Sequence, residues 1–263
     1  MEGYFESWPE FKTIISDKIV KFCPTGLEFV HETCSSEILK KILNINPQDI
    51  VLIYIGRQSY ARGSDIFLHY IPQILSIDPR IKIIAVGLEI KFKNDRIINI
   101  RNSKNVFNYI NVADIALATN RASLFDLSMI EYVNADKKIV CPYVGGYKYL
   151  KCKYNNVFYY YSQNDLLKAI KDAISNKRNK ADVQFQLTAQ EFLTNYSKAI
   201  SEIYEECSCG NNIVNNSLTI DKSEFLEVRD TVKLTSFQRK MRKLRRSPWL
   251  YFKDFALKKI KAI

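Results

Sequence analysis

Apolar positions in this chain fall into short continuous runs and longer periodic ones, and the two kinds alternate. DIVLIYIG (49–56) is a continuous apolar run and RIKIIAVG (80–87) an apolar run broken only by Lys82, and both end in glycine. Such runs suit central parallel strands buried on both faces. KNDRIINIRN (93–102), ADIALA (113–118), KKIVCPY (137–143) and NNVFYYYS (155–162) add four shorter strand-length runs. Between them stand segments at helical spacing. SEILKKILN (36–44) has Ser35 or Ser36 as N-cap, and DIFLHYIPQILSI (65–77) carries Pro72 inside, where a kink is expected. Val106, Tyr109 and Ile110 share one face, and Leu127, Ile130 and Glu131 lie at helical spacing. In NDLLKAIKDAISN (164–176), Leu166, Ala169, Ile170 and Ile174 line one side, and a longer helix is predicted over roughly 184–205. Strand and helix alternating in this way predict an α/β domain with a doubly wound parallel sheet over roughly 27–205.

Ligands of such sheets bind at the carboxyl ends of the strands. The loop Asn120–Phe125 and the Gly145-Gly146 turn lie at two of those ends. The remaining segments are smaller. Residues 1–26 hold a helix-like piece, WPEFKTIISDKI, and a strand-like run, IVKFC, too little for a domain. Residues 206–235 begin with an Asn/Ser/Gly-rich stretch and read as a linker. Residues 236–263 form a basic amphipathic tail.

Charge changes the picture only there. The chain has 263 residues and a net charge of +11, but Phe237–Ile263 holds ten Lys/Arg against one Asp. The rest of the chain is close to neutral, so no nucleic-acid-binding domain is implied. Within the tail, Ser247-Pro248 reads as a helix start. Trp249, Phe252, Ala256, Ile260 and Ile263 then form an apolar stripe flanked by lysines. Such a helix suits an anionic membrane surface; packing back on the domain is the open alternative. No apolar run reaches the roughly 20 residues of a membrane span, and MEGYFESWPEF is not a signal peptide. Six scattered cysteines and two isolated histidines, His31 and His69, offer neither a zinc site nor a catalytic triad, and a cytoplasmic location is expected.

Four features carry candidate chemistry. Gly56-Arg57 ends the first strand and Arg62-Gly63 precedes the next helix. Two guanidiniums beside a helix N-terminus suit a diphosphate; a solvated loop with two ordinary arginines is the alternative. Asp126 and Glu131 are a carboxylate pair, and Glu131 could accept hydrogen bonds from the two hydroxyls of a ribose or simply face solvent. Gly145-Gly146 lets backbone amides approach a phosphate or sugar, or merely ends a strand. No G-x-G-x-x-G and no Walker A is present.

The order of these pieces is the specific signal. GRQSYARGSD, NVFNYINVADIALA, SLFDLSMIE and VGGYKYL together resemble the C-terminal, donor-binding half of family 4-like retaining GT-B glycosyltransferases, of the type that builds bacterial capsular or surface polysaccharides. The resemblance covers about residues 20–205 and implies a single Rossmann-like domain. It implies that Arg57 and Arg62, in the places of the family arginine and lysine, hold the diphosphate of the donor and act in catalysis. It implies that Glu131, matching the second glutamate of E-x7-E, binds the ribose, and that Gly145 and Gly146 match the family's Gly-Gly turn. Phe125, Asp126 and Leu127 fall in the loop whose backbone amides face donor sugar and phosphate. Ser123 stands where the first glutamate belongs and cannot supply that carboxylate.

The resemblance further implies hexosyl transfer from a nucleotide-diphospho-sugar, without metal or other cofactor, to a glycan or lipid-linked acceptor at the inner face of the cell membrane. An acceptor-binding domain would be missing or supplied by a separate subunit. A catalytically inactive remnant or binding subunit at the membrane is the alternative.

Overall fold

The computed structural model describes residues 18–28, 34–176 and 186–209, together with Glu6, Thr13 and Ile15. Most of WPEFKTIISDKI and the whole basic tail therefore lie outside the described residues.

Six strands, β1 (Ile50–Ile55), β2 (Ile81–Val86), β3 (Ile97–Ile100), β4 (Ile115–Leu117), β5 (Lys138–Pro142) and β6 (Val157–Tyr160), form one parallel sheet in the order β3-β2-β1-β4-β5-β6. This is the Rossmann-like order, and its direction reverses between β1 and β4. The helices are α1 (Ser36–Ile42), α2 (Ser64–Leu75), α3 (Val106–Val112), α4 (Leu127–Asn134), α5 (Leu166–Ser175) and α6 (Ala189–Cys209).

The continuous apolar runs are explained by two cores. Val51 and Ile53 of β1 pack with α1, α3 and α4 on one face, while Leu52 and Tyr54 pack with α2 and α5 on the other. A strand buried on both faces has no polar side to write into the sequence. Ser35, not Ser36, caps α1: its hydroxyl accepts from the Ile38 amide. Pro72 is accommodated, and α2 continues past it to Leu75.

Three features depart from the sequence reading. The alternation breaks between β2 and β3, which are parallel yet joined by a helix-free loop over residues 87–96. The run IVKFC is not a strand: residues 19–26 have no regular secondary structure, and among the described residues the segment's β-bridge is that of Leu27 to Thr188. Its backbone bonds reach Leu187 and Ala189 (2.9 and 3.0 Å), so the segment lies against the start of α6 and never meets the sheet. Further along, Lys21 pairs with Glu202 (3.1 Å) and Glu206. The Leu27 pairing occupies residues 187–188, and α6 starts at Ala189, later than its periodicity suggests. The side-chain amide of Asn134 fixes the turn by bonding both Leu187 N–H (2.8 Å) and C=O (3.0 Å). Third, Gly145-Gly146 does not make a plain turn but opens a 3-10 helix, Gly145–Leu150.

Candidate functional site

The switch point between β1 and β4 sends two loops out side by side. The β1 loop carries Arg57 and Arg62, and the β4 loop carries Asn120 to Asp126. Gly63 sits at the start of α2 with φ +63°, and a Cβ there would lie 1.7 Å from the Thr119 carbonyl oxygen. Only glycine allows that approach. The buried Thr119 hydroxyl donates to Gly63 C=O (2.8 Å), and Arg121 N–H donates to Ala61 C=O (2.9 Å). The Tyr54 hydroxyl donates to Arg62 C=O from below (3.3 Å); burial pushes its pKa up to about 12. The two loops are thereby fastened backbone to backbone before any ligand arrives.

Arg62 and Arg57 are used differently. The Arg62 guanidinium pairs with Asp126 at 3.1 Å. Arg57 is exposed, and among the described residues its side chain makes no ion pair or hydrogen bond. At the start of α2 the Asp65 carboxylate is held below its ordinary pKa, chiefly by Arg121 and further by the amides of Asp65 and Ile66. Guanidiniums, rather than helix amides, are therefore the groups this loop offers to an anion.

Asp126 is the hub of the second loop. Its carboxylate accepts from Arg62, from the Asn120 amide (2.8 Å) and from the Ser123 hydroxyl (3.0 Å). Ser123 is buried, and its carbonyl accepts from Gly146 N–H (3.1 Å). A Cβ at Gly146 would come within 2.1 Å of the Leu124 carbonyl oxygen, so the glycine turn is pressed onto this loop. Gly145 N–H donates to the Glu6 carboxylate (2.6 Å), which also pairs with Lys148. Phe125 stacks edge-on with Tyr149 (5.5 Å) and Phe22 (6.2 Å), and Leu127 is exposed at the first turn of α4.

Glu131, on α4, is half-buried, and among the described residues its carboxylate has no hydrogen-bond or ion-pair partner. Desolvation alone raises its pKa. The fully buried Tyr132 hydroxyl lies within the fields of both Glu131 and Arg62, and Tyr147 within those of Asp126 and Arg62. Arg62, Ser123, Asp126, Glu131 and the two glycines therefore surround one region. Among the described residues, no hydrogen bond or ion pair joins the Arg57 side chain to them.

The chain was then compared with known proteins. No family model matches the sequence, and no curated protein does. Solved structures do match its fold. WaaG, a glycosyltransferase involved in lipopolysaccharide biosynthesis, superposes with a TM-score of 0.50 at 16% identity, over 75% of this chain and 56% of that one. Anabaena HepE in complex with UDP-glucose gives 0.55 at 16% identity, over 70% and 57%. HepE with UDP and glucose gives 0.54 at 15% identity, over 70% and 56%. The chain spans a little over half the length of these solved chains. At such identity the likeness is one of fold. The α/β, Rossmann-like architecture expected from the sequence is present, and the solved glycosyltransferases just named share it over part of their length.

The sequence marked the Asn120–Phe125 loop as a wall of the site but gave no sign of the contacts that Thr119 and Arg121 make. Both lie just past β4, at the carboxyl end where polar residues face a ligand. Arg121 makes a two-pronged ion pair with Asp65 (2.7 and 2.6 Å) and stacks 4.0 Å over the Tyr60 ring. No helix among the described residues is long and apolar enough to cross a membrane.

Proposed function

We propose that this chain is the donor-binding half of a glycosyltransferase that uses a nucleotide-diphospho-sugar. One observation carries the reading. Among the described residues, Glu131 keeps a half-buried carboxylate without a partner, while its buried neighbours Asn120, Ser123 and Asp126 are bonded to one another. Unpaired, such a group is costly; two vicinal ribose hydroxyls would satisfy it. Arg57 and Arg62 hold the diphosphate and stabilise the charge that develops on it as it leaves, which is electrostatic catalysis. The guanidinium pair supplies that charge without a metal ion. Transfer of a hexose with retention, to a glycan or lipid-linked acceptor in surface polysaccharide synthesis, completes the proposal. The acceptor-binding domain then lies on another segment or a partner subunit. The basic tail, with Trp249 and Phe252 in its stripe, holds the protein at the inner face of an anionic bacterial membrane.

HepE, of similar fold, was solved with UDP-glucose, which makes that compound a natural first probe. Calorimetric titration of the full chain with UDP-glucose, ADP-glucose and GDP-glucose tests the donor site. Binding that is lost in both Arg57→Ala and Glu131→Gln supports it. Binding of none of the three, or binding indifferent to both substitutions, overturns it.

A second reading is favoured by Ser123, whose hydroxyl is committed to Asp126. In that reading the chain binds donor but does not turn it over. Donor consumption by the chain with a co-purifying acceptor-domain partner distinguishes the two.

A further inference from the structure

Asp126 stands at the N-cap position of α4, in extended backbone (φ −75°, ψ 134°), where an aspartate ordinarily accepts a hydrogen bond from the first turn of the helix. Its side chain makes no such bond. The carboxylate is turned the other way, into the site, and is only 12% exposed there.

Its two oxygens are unequally satisfied. Oδ2 accepts from both Asn120 and Ser123, which are themselves buried. Among the described residues Oδ1 has one partner, the Arg62 guanidinium at 3.1 Å. A carboxylate oxygen can accept about two hydrogen bonds, so Oδ2 is filled while Oδ1 has room. Arg62 is also a cation that the donor-site reading assigns to the diphosphate. When the diphosphate takes that guanidinium, Oδ1 loses its partner in a largely enclosed position. An enclosed carboxylate stripped of its partner is strongly unfavourable.

We propose that Asp126 is the sugar-recognition residue of this site, and that Arg62 and Asp126 exchange partners when donor binds: the guanidinium moves to the diphosphate and Oδ1 accepts hydroxyl hydrogens of the donor sugar. A nucleoside diphosphate without its sugar completes only half of the exchange and leaves Oδ1 unsatisfied. The Arg62–Asp126 pair thus selects a nucleotide sugar over the bare nucleotide. The inference rests on the donor-site reading above.

The test compares UDP-glucose with UDP, titrated into the full chain and its variants, with folding checked by thermal melting. The wild-type chain is expected to prefer UDP-glucose. In Asp126→Asn the preference falls roughly tenfold to a hundredfold, the weight of hydrogen bonds to a charged group. UDP alone binds that variant as well as or better than wild type, because Arg62 is less firmly held. Arg62→Ala gives the opposite pattern to Asp126→Asn: UDP weakens, while the added advantage of the glucose persists because Oδ1 is already free. That second variant decides the matter if Asp126→Asn fails to fold. Equal affinity of wild type for both ligands overturns the inference, as does an Asp126→Asn variant that weakens both equally. So does an Arg62→Ala variant in which the glucose advantage disappears. If the wild-type chain binds neither ligand, the donor-site reading itself fails. If it binds both and only the preference is untouched by Asp126→Asn, that reading stands and the role of Asp126 falls.

Discussion

Arg121 reaches from the β4 loop to Asp65 in the first turn of α2 and grips its carboxylate with two nitrogens, at 2.7 and 2.6 Å. The pair ties the two walls of the candidate site together at their outer edge. Because the Asp65 side chain is 58% exposed, solvent screens it, and the pair is worth only about 0.5 kcal/mol. Arg121→Ala should lower the melting temperature by about 1–2 °C at neutral pH. The sign of the pH dependence follows from Asp65, whose pKa is lowered in the folded state. Its contribution is present above the ordinary carboxylate value and is lost as pH falls through the lowered one. The gap between the melting curves of wild type and Arg121→Ala should therefore narrow on acidification, down to what the Tyr60 contacts contribute; a gap that does not narrow would contradict the assignment.

Gly63 cannot carry a side chain. Its positive φ and the 1.7 Å approach of a built Cβ to Thr119 C=O act together. Gly63→Ala should cost roughly 2–4 kcal/mol, in the range of strained backbone positions in well-packed sites. Urea denaturation measures it. A loss under about 0.5 kcal/mol, the scale of an ordinary surface change, would show that the loops are not locked as described.

Glu131 trades stability for binding. Burial raises its carboxyl pKa, so the folded state favours the protonated form. The stability it contributes is full below its unfolded value and disappears as pH rises through the folded one. Glu131→Gln, which mimics the protonated form, should be more heat-stable than wild type at neutral pH, with the two converging in acid. The same variant should bind UDP-glucose more weakly, since an amide accepts from a diol less well than a carboxylate. A variant both less stable and unchanged in binding would sink the role.

Glu6 occupies the Gly145 amide and Lys148 together. Glu6→Gln should leave both groups more open to an anion and tighten UDP binding a few-fold at low salt. The gain should shrink as ionic strength rises, because the contact is exposed and screened beyond about 10 Å at 0.1 M. Titrations at two salt concentrations read this directly; a loss of affinity would mean that Glu6 helps the site.

Much of the fold could be read from local pattern. The runs around Val51–Tyr54 and Ile81–Val86 announce strands buried on both faces, and the spacing of Leu166, Ala169 and Ile170 announces α5. The run IVKFC misleads because apolar composition marks what will be covered, not by which partner; here the partner is the start of α6 rather than a strand. The helix-free crossover between β2 and β3 has no periodicity to reveal it. In the site, the order of Arg57, Arg62, Glu131 and the glycine pair was visible because the two arginines follow β1, Glu131 lies on the helix after β4, and the glycines follow β5. The contacts that set their geometry were not. Thr119 to Gly63 joins residues 56 positions apart, and Arg121 to Asp65 does the same. Only the parallel register of β1 and β4 brings them together. The inward turn of Asp126 was equally hidden, since an aspartate before a helix reads first as a cap.

That forgone cap gives the protein its own reporter. The first turn of α4 begins without a side-chain acceptor for its amides, so it should open more readily than the turn behind it, where Tyr132 and Val133 are buried. Amide hydrogen exchange at Ser128 and Met129 should accordingly be fast for so central a helix. It should change when a ligand alters the company that Asp126 keeps.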